Sequence, residues 1–529
     1  MHGTHAKWSR RQVLGSVSAG LVGALATSAL PAAGAQPVRQ APGLVVRRNI
    51  YMLDQAGPEI ASLRRGVDAM KQLSITNPDD PRGWQFQANM HGAPLGVRED
   101  PYWRQCQHGS FFFLPWHRMY LYWFQRILQW ASGDPTLALP YWDYSLPEWR
   151  ILPQAFRVPA DPSNPLYLDE RDPLVNAGVP PWSILGPSFD HRWALSATRF
   201  FHTDELDSSF GGAWAPGPVH SSDRAGSAGQ LEMTPHGHLH VLIGGSFEAP
   251  DGSFYSAPMG DPDRAAIDPI FWLHHANIER LWKRWLDLGE GRANPTYDAT
   301  WMSTPFTFFD ERAREVQMTA SEILSTEQLG YVYDDDPLVL GGGADPMGGG
   351  LGEASGGGPG TPGGAVRWRR RSLLGASRAG RTIELGSDLI TVPIRRGDEP
   401  DVDELAIPSA GSGDRIVLSI ERLQGTGVPG VAFEVYLHSA LDRGSVPSAD
   451  SLVGILSLFG LQPNDASGHG HGTPMGTQGF DVTDRVLAAM NDPAWRGRLA
   501  ATFVPQVLAS TPPPGGVWAL AERVALTIG

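Results

Sequence analysis

Apolar side chains recur at helical spacing through the first two thirds of the chain and give way to short β-rich runs in the last third. In Ile270–Trp285, Phe271, His275, Ile278, Trp282 and Trp285 follow 4-3-4-3 spacing, which is one buried stripe of an α-helix. Asp268-Pro269 ahead of them opens that helix. From Phe113 onward His117, Leu121, Phe124 and Leu128 form a second stripe on a helix apolar nearly all round and therefore buried, with His108 at or just before its start. Pro81–Gly92 reads as a helix whose inward stripe ends in His91 and which Gly92 terminates. In Gln230–Gly245, Thr234 can cap a short helix, Pro235 suits its first position and Gly244-Gly245 can stop it. His236 and His240 are four apart on that helix and share a face, whereas His238 points away.

Residues 341–364 hold 13 glycines in 24 positions and cannot bury a core, so they read as a linker. Beyond them Arg415–Leu423, Val431–His438 and Val524–Ile528 are separated by Gly/Pro turns, which predicts a small β-sandwich or barrel. At the other end Ser9-Arg10-Arg11-Gln12-Val13-Leu14 precedes a mildly apolar stretch and Ala33-Gly34-Ala35, the pattern of a twin-arginine export signal. The expected organisation is a signal over 1–35, a mainly helical domain over 36–340, the linker, and a β-rich domain over 365–529. No other segment reaches the ~20 apolar residues of a membrane-spanning helix, so the mature protein is expected to be soluble, without stable membrane insertion, and secreted or periplasmic.

Composition narrows the chemistry. Lys and Arg number 42 against 56 Asp and Glu, a net charge of −14, and no long basic run is present, which argues against a nucleic-acid partner. A single cysteine excludes an intramolecular disulfide framework and any multi-cysteine metal cluster, while 16 histidines are available. A lone buried histidine reads most simply as a hydrogen-bonded core residue. Here three lie in one region and three or four in another, on what reads as four core helices of a bundle. Buried imidazole clusters without carboxylate ligands suit copper or zinc, and a hydrolytic dizinc or diiron site normally adds bridging Asp or Glu. Two facing groups of three histidines point to a copper pair for dioxygen chemistry.

At this level of detail the chain resembles the type 3 copper family of tyrosinases and catechol (polyphenol) oxidases, with haemocyanins as distant relatives. The likeness covers most of 45–335. It rests on Gln87-Ala-Asn-Met-His91, Phe113-Leu-Pro-Trp-His117-Arg, Leu139-Pro-Tyr-Trp-Asp143, Pro235-His236-x-x-x-His240-Val and Asp268-Pro-Ile-Phe-Trp-Leu-His-His-Ala-Asn. The resemblance implies that His91, His108 and His117 bind the first copper and His236, His240 and His275 the second. His274 would then be a neighbour, which agrees with the stripe argument. Tyr331-Val-Tyr333 resembles the motif that closes the family's catalytic domain, with Arg47 or Arg48 as its partner. Cys106-Gln-His108 matches the spacing at which fungal tyrosinases form a thioether between cysteine and histidine.

The implied reaction is oxidation of an o-diphenol to the o-quinone with O₂ as co-substrate. Glu232 fits the glutamate that orients a water when monophenols are hydroxylated. The asparagine that often follows the first ligand of the second copper is Gly237 here, which weakens monophenol hydroxylation. Gly260-Asp-Pro262-Asp-Arg lacks the aromatic shield of plant oxidases, which would admit bulkier phenols. The alternatives are an o-aminophenol oxidase of the same family, a haemocyanin-like O₂ carrier without turnover, and a dizinc hydrolase. The β-rich domain resembles, more loosely, the one that covers the copper site in latent polyphenol oxidases. His469-Gly-His471 within it reads as an ordinary polar loop.

Overall fold

The computed structural model describes residues 44–528, apart from 95, 97, 180–190, 204–207, 219, 221–227, 337–371, 396–414, 440–446, 462–475, 491–498 and 510–512. The export signal, the Gly-rich linker and His469-Gly-His471 lie outside the described residues.

The first half is mainly helical. Helix α1 (Pro58–Thr76) packs on α3 (Phe113–Ser132), which packs on α5 (Ile270–Asp287), and the short α2 (Trp84–His91) and α4 (His238–Gly244) close the group. Helix α3 is buried over nearly its whole length because its sequence offers no polar face before Gln125. The chain leaves it through Gly133, whose φ of 67° is left-handed backbone that glycine adopts without a Cβ penalty. Helix α2 stops at His91 with Gly92 as its C-cap. Helix α4 begins later than the spacing suggests. Thr234 is extended (φ −143°, ψ 121°), and His236 sits in a wide turn, Glu232–Gly237, ahead of the regular helix. Pro235 has no N–H to continue a helical ladder, which is why the turn precedes the helix.

Two short parallel strands join the ends of this half: β1 (Val45–Arg47) pairs with β2 (Tyr331–Tyr333) in the register Val45↔Tyr331 and Arg47↔Tyr333. Arg47 is the tyrosine partner. Its guanidinium lies 3.7 Å from the centroid of the Tyr331 ring and its Nη1 donates to Tyr333 Oη at 3.3 Å. Arg48 points to solvent and pairs with Glu59. Glu279 of α5 binds Arg118 of α3 at 2.6 Å and Arg47 at 3.4 Å, so the domain ends are tied to the helices that carry His117 and His275.

The last third is β-rich. One sheet is built on Ile416–Gly425, flanked by Arg523–Ile528, Gly476–Asp481 and Val517–Ala521, with Ser372–Ala376 and Ile383–Gly386 at its edges. The other has the order Leu452–Ser457, Val431–Ser439, Leu499–Val507, Ile390–Ile394. Their inward residues, among them Leu418, Ile420, Phe433, Val435 and Phe503, form one apolar core, as alternation along each strand requires. That core is distinct from the aromatic-rich core of the helical half.

Candidate metal centre

The four histidine-bearing segments converge inside the helical half. Metal-ligating atoms of His236, His240, His274 and His275 lie within 4.8 Å of one another, as do those of His91, His117 and His275, and those of His91, Cys106 and His108. The rings of His117 and His275 are parallel, 4.4 Å between centroids, and His240 Nε2 is 3.4 Å from His275 Nε2. His275 thus belongs to both groups. His238 is buried but joins neither.

Most of these rings are fixed by a backbone carbonyl on Nδ1. His117 takes Phe113 O at 2.8 Å and His236 takes Glu232 O at 3.0 Å, each from its own preceding turn. His91 takes Pro262 O at 3.1 Å and His240 takes Met259 O at 2.7 Å, from a loop distant in sequence. A proton on Nδ1 leaves Nε2 as the lone-pair nitrogen, facing the centre. The Nε2 atoms of His91, His108, His117 and His236 are buried and have no hydrogen-bond partner among the described residues. An orphaned polar atom costs about 1–3 kcal/mol, so the clustering of four is unfavourable unless another group satisfies them. Burial, with neighbouring imidazoles adding to it, pushes His91, His108, His236 and His275 well below the usual histidine range. Burial takes His117 and His240 to about 3. The rings are therefore neutral, the form in which imidazole binds metal. Phe271, 4.9 Å from His91 and 4.2 Å from His275, and Phe113, 4.8 Å from His236, wall the centre with apolar surface.

Glu232 lies at the edge of the histidine groups. Its Oε1 accepts from Gly109 N at 2.8 Å, next to His108, and its buried Oε2 has no hydrogen-bond partner among the described residues. Burial raises its carboxyl to about 8. Cys106 is buried with its Sγ 3.6 Å from His220 Nδ1.

Three features escaped the sequence. His274 enters the second group, its ring stacked on His236 at 5.4 Å and its Nδ1 3.2 Å from Tyr144 Oη; the helix stripe separates it from His275 by only one residue and both are buried. The carbonyls of Met259 and Pro262 left no signal, because backbone atoms carry none. Phe459 comes from the β-rich unit and stacks on His240, 4.3 Å between centroids and 16° between planes.

Known proteins resemble this chain in sequence and in fold. Residues 81–288 match the common central domain of tyrosinase, 296–339 the polyphenol oxidase middle domain, and 371–511 a domain of unknown function, DUF7868. Residues 81–339 thus carry tyrosinase and polyphenol oxidase domains. It is 28% identical over 455 residues to tyrosinase HcTyr1 of Hahella sp. (strain CCB-MM4), covering 79% of this chain and 85% of that one. It is 32% identical over 324 residues to the chloroplastic polyphenol oxidase A1 of Vicia faba, covering 57% of this chain and 48% of the relative, so it spans about half of that plant enzyme. Two solved structures have the same fold: latent apple tyrosinase (TM-score 0.62, 22% identity, 94% of this chain and 99% of that one) and latent aurone synthase (0.64, 20%, 94% and 93%). Copper-dependent phenol oxidation is this family's chemistry, using O₂ and phenolic substrates, and the protein is an enzyme of that kind. The carrier, aminophenol and hydrolase alternatives are not favoured. No helix among the described residues is long and apolar enough to cross a membrane.

A buried ion pair aligns the helix that carries His275. Asp268 receives Arg171 through both oxygens at 2.6 and 2.7 Å, and its Oδ1 also accepts from Ile270 N at the start of α5. Both side chains are fully buried. Asp268→Asn would leave the Arg171 charge without its partner. A loss of about 3–5 kcal/mol is expected, read as a lower urea midpoint with an unchanged slope.

Proposed function

We propose that His91, His108 and His117 hold one copper ion and His236, His240 and His275 a second, and that the protein uses O₂ to oxidise o-diphenols to o-quinones. The observation that carries the assignment is the convergence of neutral, buried imidazoles, four of whose Nε2 atoms lack partners among the described residues, with no carboxylate in the groups found there. The copper pair, when bound, supplies the electron transfer to O₂. Each diphenol gives two electrons and two protons, so one O₂ consumes two diphenols and leaves as two waters. The chain's own residues hold the imidazoles, exclude water through Phe113 and Phe271, and place Glu232 where a proton is to be moved. The test is oxygen uptake with catechol by the copper-loaded protein after cleavage within 341–364; no uptake by cleaved protein containing two coppers rejects the reading.

Glu232 supports a further activity, hydroxylation of monophenols. Its buried Oε2, in the ionised form of the carboxyl, can take a proton from a phenol, through water or directly. Glu232→Gln is expected to lower monophenol hydroxylation by about tenfold or more while diphenol oxidation changes by less than about threefold, within the range for a single general base. Equal effects on both substrates would remove that role.

The same reading assigns residues 36–340 to catalysis, 341–364 to a cleavable linker and 365–529 to a cover over the copper centre, with export outside the cytoplasm directed by 1–35. Phe459 on His240 supports the cover. Cys106 is assigned a thioether to His108, supported by their common group of ligating atoms. The bond forms with loss of the thiol hydrogen and a ring hydrogen, so intact mass should fall by two hydrogen atoms after exposure to copper and O₂; an unchanged mass dismisses it.

A further inference from the structure

We infer that the loop Pro258–Asp263 sets the two histidine groups together, through carbonyls given to one imidazole of each, and that Gly92, Gly244 and Gly260 are the positioning residues that seat this loop. The inference rests on the ligand assignment above. Met259 O holds His240 of the second group and Pro262 O holds His91 of the first, three residues apart in one turn of chain. His117 and His236 take their carbonyls from their own preceding turns. The loop is therefore a link between the groups that depends on tertiary packing.

Its position requires missing side chains. A Cβ on Gly92 would lie 2.5 Å from Pro262 O and 2.6 Å from Asp263 Cα. A Cβ on Gly244 would overlap Gly260 N and Cα, and one on Gly260 would lie 2.7 Å from Ser256 Cβ and 3.1 Å from Gly244 Cα. Gly92 has an extended backbone (φ −154°) that any residue adopts, and neither Gly244 nor Gly260 has a positive φ. Space, not conformational freedom, is what these positions need. The loop is pinned on the same side by Ala257 N donating to Gly244 O at 2.8 Å, and it is folded on itself by Asp263 N donating to Asp261 Oδ1 at 3.0 Å. A side chain at any of the three glycines would push the loop as a unit, so both carbonyls would leave their imidazoles together.

The prediction that separates this link from ordinary packing is an effect across the two groups. Copper binding to the metal-free full chain is measured by native mass spectrometry and calorimetry, with thermal melting as the check on folding. The parent should take two coppers and His117→Gln one, at the second group. Adding G92A to H117Q should weaken that remaining copper by about tenfold or more, the usual scale for losing an outer hydrogen bond to a ligand, although Gly92 adjoins only a ligand of the first group. G260A should weaken copper in both the H117Q and H236Q backgrounds, and S256G, which removes the two nearest atoms that the new Cβ would meet and leaves only Gly244 Cα at 3.1 Å, should restore it. If G92A melts early, the G260A and S256G pair decides alone. Unchanged second-group affinity in H117Q/G92A, or failure of S256G to rescue G260A in a folded protein, overturns the inference. A parent that takes fewer than two coppers overturns the ligand assignment, and the inference with it.

Discussion

Replacing Phe459 by alanine in the full chain is expected to raise catechol turnover at least about tenfold, and cutting within 341–364 to raise it further. The ring of Phe459 lies parallel on His240 and within 5.8 Å of His236, centroid to centroid, so it fills space that a phenol at the second group would need. The strand before it, Leu452–Ser457, packs against the turn Glu232–Gly237. There a Cβ on Gly237 would stand 3.0 Å from Ser457 Oγ and 3.4 Å from Phe459 Cβ. Gln230 Nε2 also donates to Gly479 O across the boundary, and Arg415 to Thr198 Oγ1. A closed state favoured by about 1.4 kcal/mol leaves one molecule in ten open, so removing the obstruction gives a tenfold gain. Phe459→Ala removes the ring and keeps these polar contacts, so the β-rich unit stays in place and the gain reports access to the centre. Oxygen uptake by F459A, by the cut chain and by the parent, at equal copper content, checks this. Equal rates for all three would mean that the β-rich unit does not restrain the site.

His275→Gln is expected to abolish oxidation, by about three orders of magnitude or more, and to reduce bound copper from two ions to one at most. Among the described residues His275 is the one histidine whose ligating atoms fall within 4.8 Å of those in both the first and the second group. It lies between His240 and His117. Losing it should lower affinity at the second group directly and open the boundary between the groups, and dioxygen reduction by a metal pair fails when either ion is missing. His238→Gln, a buried histidine outside both groups, is the comparison. Its copper content should stay at two even if its melting temperature falls. Metal analysis beside oxygen uptake distinguishes the outcomes. Two coppers retained by H275Q would reassign the position to His274, whose Nε2 lies in the same group.

The contrast between His274 and His275 shows where sequence reasoning stops. A 4-3-4-3 stripe puts His275 on the most buried line of α5, but it treats the adjacent position as the flank of the helix. In the folded protein α5 is enclosed by the turn bearing His236, so His274 is buried as completely. Arg47 and Arg48 were equivalent as text, and the parallel pairing of β1 with β2 turns one inward and the other out. Thr234 and Pro235 were legible as a helix start, yet the regular helix begins at His238 because the proline cannot extend the ladder backwards.

The chain by itself determined the parts that depend on local periodicity and residue chemistry. These are a buried helical half, a β-rich last third, and buried histidines on helices that converge in groups without a carboxylate among the described residues. Only the tertiary structure decided what holds and covers those rings: the carbonyls of Met259 and Pro262, the glycines that let their loop approach, the second imidazole at His274, and the ring of Phe459. Periodicity reports which face of an element is buried. It carries no record of backbone atoms or of what a distant segment brings to that face, because those contacts exist only once the chain has closed on itself.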